Sequence, residues 1–464
     1  YQEPPAHRRL ALSAENVHWG YFSKSEPPKM TVTSGETVTV EMASHHACDD
    51  YDKMVLGDSG MESVFEWSSS KKGEERRGAT GGGDGVHVMT GPIYVEGAMP
   101  GDILAVEIVD LMPRPNKDGK TYGSNAAAWW GFQARSDQAD GTPFDAGDFT
   151  DTPGSNDEVI TIYEIIEEGG EVYAELTYQF GWPTLTDPEG TTRNYSAYPG
   201  TCVPHDYMGF SETPQAMGWT KDAGGISYTM SPFPAKIPIN MHVGCMGLAP
   251  ASHDSVDSIP PMPTGGNLDD KRIGKGTTMY YPVEVAGALL SMGDAHAAQG
   301  DGELDGTAIE TSITGKFKIT VHKKASFSLP WQPILDFPLG ETADTWIIHG
   351  FTFTDYLEEF AANPGDIYSN SDIDLAMHNA YTQPRKFLMA TYSLTQAEAD
   401  TIITQGVDFG MTQLVDGNWG VHAVVPKAIF AAGASRRLEV KKTGTSWDKA
   451  RKLAEAYKKA PHRK

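Results

Sequence analysis

Between residues 30 and about 320, apolar and polar residues alternate in short runs, and this period-two pattern predicts strands. TVTSGETVTVEMA (31–43) alternates on both sides of a Ser-Gly turn, and DILAVEIVDL (102–111) sets Leu104, Val106 and Ile108 on one face. EVITIYEIIEEGGEVYAELTY (158–178) reads as a hairpin turning at Gly169-Gly170, and KFKITVHK (316–323) as another amphipathic strand. Long Gly-, Pro- and Asp-rich loops, such as 136–156 and 249–276, separate these runs; loops of that length are usually functional or wrap a neighbour.

The period changes beyond Pro330. SDIDLAMHNAYTQPRKFLMATY (371–392) and SLTQAEADTIITQG (393–406) carry helical spacing, Pro384 should kink or split the first, and Ser393 with Gln396 suggests a capping box for the second. VDFGMTQLVD (407–416) and VHAVVPKAIF (421–430) return to strand character, with Pro426 marking an end. The expected fold is a β-rich α+β protein: a strand-dominated, sandwich- or barrel-like core with helices concentrated in the C-terminal third. Residues 1–330 would form the β-rich catalytic region, 331–440 an α+β region packing on the same core, and 441–464 a basic terminal helix, most simply a solvated one.

Composition narrows the partners. With 62 acidic against 37 basic residues the net charge is −25, a surface that repels phosphate backbones and anionic headgroups, so neither nucleic acid nor a membrane surface is expected as a partner. No apolar run of about 18 residues could span a bilayer. The N-terminal YQEPPAHRRL looks like a mature end left by signal removal, which favours a periplasmic or secreted location over a cytoplasmic one. The three cysteines, Cys48, Cys202 and Cys245, give neither a disulfide framework nor a CxxC metal pattern.

Candidate chemistry concentrates in GDAHAAQGDGE (293–303). On an extended strand Asp294 and His296 point the same way, a pairing that can bind a divalent ion or act as a base with its orienting partner. Glycines 300, 302 and 306 would let the chain fold Asp301 and Glu303 back toward them, with Glu303 suited to general acid/base work. SHHACDDYD (44–52) adds two histidines and three aspartates suited to Zn, Mn or Ca, without revealing which of Asp49, Asp50 or Asp52 turns inward. His87 follows a Gly-rich loop that lacks any phosphate-cradle spacing, and GGNLDDKR (265–272) offers Asp269, Asp270 and Lys271. Cys202, near His205, and Cys245, in an apolar run, are the candidates for a thiol mechanism.

Taken in order, HVMTGPIYVEGAMPGDIL (87–104), HVGCMGLAP (242–250), GGNLDDK (265–271), YYPVEVAGALLSMGDAHAAQGDGE (280–303) and GTAIE (306–310) resemble the acetamidase/formamidase family over roughly 30–430. The resemblance implies hydrolysis of a small amide to carboxylate and ammonia by a homo-oligomer with a bound divalent metal. It marks His87, Asp269, Asp294, His296 and Glu303 as the positions that matter. On that reading Zn, or alternatively Ca, is held by a subset of Asp50, His87, Asp294 and His296 and activates a water. Glu303 is then the base, Asp269 orients a ligand or the substrate nitrogen, and Lys271 stabilises the oxyanion. The chain departs from many relatives at HHACDDYDKM (45–54) and in its longer 125–155 and 185–230 segments, where WWGFQ (129–133) could enlarge the pocket for a bigger amide. The alternatives are a cysteine amidase on the same fold and a non-catalytic, exported protein that binds a small ligand or metal.

Overall fold

The computed structural model describes residues 8–70, 85–127, 131–132, 159–180, 184–186, 192–194, 219–222, 225–228, 235–326 and 328–430. Trp129, Cys202 and the basic 441–464 stretch lie outside the described residues. Within Tyr1–Pro426 two large, mostly antiparallel sheets face each other. The nine-stranded sheet runs Arg8–Leu10, Thr37–Met42, Ile313–His322, Ile103–Pro113, Thr278–Pro282, Leu339–Glu341, Thr345–Phe351, Gly420–Pro426 and Asp408–Gln413. The eleven-stranded sheet has Leu290–Ala298 near its centre, paired with His242–Leu248, Ile309–Glu310 and Val88–Val95.

One apolar cluster fills the space between the sheets. Val38, Val40, Leu104, Val106, Ile108, Phe317 and Ile319 enter from the first sheet, and Ile93, Val243, Met246, Leu290 and Met292 from the second. Each aliphatic side chain buried in this way contributes about 1.5–3 kcal/mol. The alternating positions of 102–111 and 316–323 supply this face, as expected of strands with one buried side. The 331–440 region contributes four strands to the nine-stranded sheet, so its strand part is continuous with the N-terminal sheet.

Several local expectations are met, and others are corrected. Val159–Glu168 and Glu171–Phe180 pair as a hairpin, with Gly169 at φ 66° and Gly170 at φ 88°, the two positive values a tight primed turn requires. The 31–43 run is not a hairpin: Met30–Val32 pairs in parallel with Val88–Val95, whereas Thr37–Met42 joins the opposite sheet. Pro384 does not split its helix, which runs unbroken over Ile373–Tyr392 with Ala376, Ala380, Phe387 and Leu388 buried. Tertiary packing of that face outweighs the lost hydrogen bond. The capping box of Gln396–Gly406 is Thr395 with Glu398, because Ser393 serves as the left-handed C-cap of the preceding helix. A helix the sequence pattern does not announce, Ser59–Ser70, buries Met61, Val64 and Phe65. Cys48 is disulfide-bonded, correcting the expectation of no framework: spacing along a chain does not report contact across it. Among the described residues, no helix is long and apolar enough to cross a membrane. Lys427–Phe430, a single 3-10 turn, is the described part of a second unit, 427–464.

Candidate functional site

Strand pairing assembles the core of the site. His296 lies opposite Glu310 on one side of the central strand and opposite His242 on the other. His296 Nε2 is 3.2 Å from Glu310 Oε1, 3.3 Å from Asp294 Oδ2 and 4.0 Å from Asp269 Oδ1. Asp294 itself receives two further imidazoles: His45 Nδ1 is 3.6 Å from its Oδ1 and His87 Nε2 is 3.7 Å from its Oδ2. His87 precedes the Val88–Val95 strand and is oriented by Ser258 Oγ at 2.8 Å from its Nδ1. His45 opens the 3-10 helix His45–Asp50, which Ser44 caps at the end of the Thr37–Met42 strand.

Two loops complete the cluster. Asp269 follows the Gly265–Asn267 strand, its carbonyl accepting from Gln299 Nε2 at 2.6 Å. Glu303 follows Gly302, which the 412–414 segment holds on both sides: its N–H donates to Thr412 O and its carbonyl accepts from Leu414 N, each at 3.0 Å. The donor atoms of Asp269, His296 and Glu303 all lie within 4.8 Å of one another, as do those of His45, His87 and Asp294, and those of Asp294, His296 and Glu310. Gly244, on the strand beside Asp294, leaves the room: a Cβ there would lie 2.4 Å from Asp269 Oδ1 and 2.5 Å from Asp294 Oδ2.

The structure therefore brings His87, Asp269, Asp294, His296 and Glu303 together and leaves Asp50, Lys271 and Asp301 elsewhere. Asp50 caps the short helix Tyr51–Met54, its Oδ1 accepting from Lys53 N at 3.2 Å and its Oδ2 from the Tyr178 hydroxyl. Lys271 pairs with Asp301 at 3.4 Å and is about a third exposed. Asp301 likewise faces away, gripped by both terminal nitrogens of Arg272 at 2.9 Å, while Arg272 also holds Asp270 Oδ1 at 3.0 Å. Asp294 and His296 do meet, though not by regular alternation along the strand. Asp294 has φ 52°, outside the extended region, so the pair meets through a local twist of the strand and not through regular alternation. His45 is one of the two histidines of the 44–52 run expected to suit a metal, whereas Glu310, Gln299 and His242 carry no role expected from the sequence. Glu310 closes the GTAIE motif, and its register opposite His296 is the signal that would have found it.

Electrostatics sort these groups. Burial would raise Asp294, but His296, His87 and His45 outweigh it and hold the carboxylate well below its usual range. Burial would lower His296, yet Glu310 and Asp294 push it well above an ordinary imidazole. Burial, and then neighbouring acids, push Asp269 and Glu303 well up, and Glu310 is raised to about 8, chiefly by burial and against the lowering effect of His296. Both oxygens of Asp269 and one oxygen each of Glu303 and Glu310 are buried without a hydrogen-bond partner. A cation fits this arrangement. Ligands bonded at about 2.1 Å to a tetrahedral ion stand about 3.4 Å apart, which is the spacing seen around Asp294 and longer than a good hydrogen bond. A mixed imidazole and carboxylate set suits Zn or Mn.

Behind His296, Gln299 Oε1 lies 3.0 Å from His296 Nδ1 and 2.9 Å from His242 Nε2. This contact, together with His242 Nε2 at 3.0 Å from the same His296 nitrogen, turns His296 Nε2 toward the cluster. Such outer partners are worth about 10- to 100-fold in metal affinity. Gln299→Leu is expected to weaken Zn binding by about that factor, read by competition with a fluorescent chelator; unchanged affinity would contradict the role. Cys245 is a poor nucleophile, because burial raises its thiol pKa well above normal.

The sequence profile of the Acetamidase/Formamidase family matches residues 84–432. An acetamidase of Mycolicibacterium smegmatis is 29% identical over 235 residues, covering 47% of this chain and 49% of that protein. A formamidase of Methylophilus methylotrophus is 28% identical over 228 residues, covering 47% of each. The chain thus spans about half the length of the curated relatives it matches. Among solved structures, an acetamidase from Bacillus halodurans superposes with a TM-score of 0.54 at 22% identity, over 91% of this chain and 98% of that one. An acetamidase from Yersinia enterocolitica gives 0.57 at 20% identity, over 93% and 95%. At these identities the two structures speak for the shared fold.

Proposed function

The chain belongs to the acetamidase/formamidase family, and from that premise we propose that it hydrolyses a small carboxamide to a carboxylate and ammonia at the His45–Glu310 cluster. The observation that carries this reading is the gathering of His87, Asp294, His296, Asp269 and Glu303 in adjoining buried triads, each with donor atoms within 4.8 Å of one another. Asp294, His87 and His296 would hold the ion, and the imidazoles favour zinc over calcium. When bound, a divalent cation polarises the amide carbonyl and makes a water acidic enough to attack near neutral pH.

The remaining work falls to the chain's own carboxyls. Glu303, whose pKa burial raises, takes the proton of the attacking water and returns it to the departing nitrogen. Asp269, with both oxygens unpartnered, accepts N–H bonds from the amide nitrogen and orients it. Lys271 has no part in this reading, since it is committed to Asp301. Assembly as a homo-oligomer belongs to the same proposal and rests on the family resemblance alone.

The test is ammonia release from formamide, acetamide and larger amides before and after chelation, with elemental analysis of each sample. Stripping the metal should abolish release, and adding Zn back should restore it. If metal-free protein keeps full activity and a thiol reagent abolishes it, the cysteine mechanism takes over; if the metal-loaded protein is inert on every amide, a binding function does.

A further inference from the structure

We propose that Arg272 is a positioning residue of this site: its guanidinium ties the loop that carries Asp269 to the loop that carries Glu303 and so fixes the gap between the two carboxyls. The inference rests on the amidase reading above and adds a residue that acts through those carboxyls without touching substrate.

Asp270 directly follows Asp269, and Asp301 stands two residues before Glu303. Arg272 Nη1 donates to Asp270 Oδ1 at 3.0 Å and to Asp301 Oδ1 at 2.9 Å, while its Nη2 donates to Asp301 Oδ2 at 2.9 Å. One planar fork thereby holds both loops, and arginine is the side chain whose donors are fixed in that arrangement. Each loop is also anchored. Asp270 is 1% exposed, its Oδ1 accepts from Arg272 N at 2.9 Å, and its Oδ2 lies 3.1 Å from Nε2 of His349, a buried residue of the Thr345–Phe351 strand. Gly302, on the other loop, is held between Thr412 and Leu414 at the end of the Asp408–Gln413 strand. Both strands belong to the nine-stranded sheet, so the fork spans two loops that rest on one support.

The two working carboxyls need such a tie. Asp269 and Glu303 sit at φ 49° and 48°, left-handed values that a residue with a side chain keeps only where its surroundings enforce them. Their donor atoms come within 4.8 Å of each other, and whenever both are ionised they repel across that gap. An isolated surface ion pair adds little, but a bidentate pair within a network of several charges is the exception. Lys271 Nζ, 3.4 Å from Asp301 Oδ2, supplies charge without the fork. Removing Arg272 therefore leaves Asp301 beside a cation and Asp270 beside His349, and what is lost is geometry.

Arg272→Ala, Arg272→Lys and Asp301→Ala of the full chain test this by steady-state ammonia release, thermal melting and hydrogen exchange. Arg272→Ala is expected to lower kcat by about 10²-fold, the cost of misplacing a reacting group by about 1 Å, with KM and melting temperature changed far less. Arg272→Lys, which keeps the charge, should still lose most of that activity. Asp301→Ala should lose as much as Arg272→Ala, and the double variant no more than either, because all three cut one tie. Millimolar guanidinium should restore part of the Arg272→Ala activity and none of the Asp301→Ala activity, a pattern that a loss of general stability does not give. Hydrogen exchange in 268–272 and in 299–304 should rise together in Arg272→Ala. Full kcat in that variant, complete recovery with lysine, or additive losses in the double variant would each overturn the tie. If the wild type releases no ammonia from any amide, the amidase reading falls and exchange decides the tie alone: protection lost from both stretches upholds it, and unchanged exchange overturns it.

Discussion

Replacing Glu303 with Gln is expected to lower kcat/KM for ammonia release by about 10²- to 10⁴-fold, the usual worth of a positioned general base. The substitution keeps the volume and removes only the ability to carry a proton. Glu303 suits the role because it is 6% exposed, one of its oxygens lacks a partner, and its pKa is raised by burial first and then by Asp416. An ionised base is needed for attack, so activity should rise as pH passes upward through its pKa, and the variant should lose that rising limb. Steady-state rates across pH, with metal content and circular dichroism measured on the same samples, check this. A variant within tenfold of wild type, still showing the limb, would remove Glu303 from catalysis.

Gly244→Ala should be nearly as damaging although it replaces no ionisable group. The added methyl would sit 2.4 Å from Asp269 Oδ1, 2.5 Å from Asp294 Oδ2 and 2.6 Å from His296 Cε1, and no real Cβ tolerates such contacts. Overpacking of this kind costs about 1–3 kcal/mol, and a displacement of about 1 Å in a reacting group costs about 10²-fold in rate. Activity should fall by about 10²-fold or more, with metal content reduced and the protein still folded. Gly300→Ala is the matched control: it lies in the same motif with nothing within 4 Å of the added carbon, and it should behave as wild type. If both variants keep full metal and activity, the crowding at Gly244 does not exist in solution.

The parts of the fold that could be read from the sequence are those in which one residue's neighbours along the chain decide its environment. Alternation in 102–111 and 316–323 marks the buried face, and Gly169-Gly170 marks its turn. The division of 31–43 between two sheets could not be read, because each half alternates equally well in either sheet. Ser393 and Thr395 are both competent caps, and only the end of the preceding helix decides which is used. At the site, His87, Asp269, Asp294, His296 and Glu303 stand in motifs whose order is visible along the chain. His45 stands in the 44–52 run and Glu310 in GTAIE, but their place at the cluster is not visible along the chain: Glu310 reaches it by lying opposite His296, and His45 by opening the 3-10 helix that follows Thr37–Met42. Asp50 and Lys271 fail to reach it for the complementary reason, that Tyr178 and Asp301, remote in sequence, claim them first.

Asp269, Asp294 and Glu303 hold φ values of 49°, 52° and 48°, in the left-handed region that costs a residue with a side chain about 1–2 kcal/mol. Three such residues in one cluster mean that the native state carries several kcal/mol of local strain on the groups assigned to catalysis, a sizeable share of the 5–15 kcal/mol by which domains are stable. Selection for thermal stability alone would erode this site first, because glycine at any of the three positions relaxes the backbone while deleting the function. Thermostabilised descendants of this chain should therefore be screened for turnover at every round, since the easiest gains in melting temperature lie where the chemistry is.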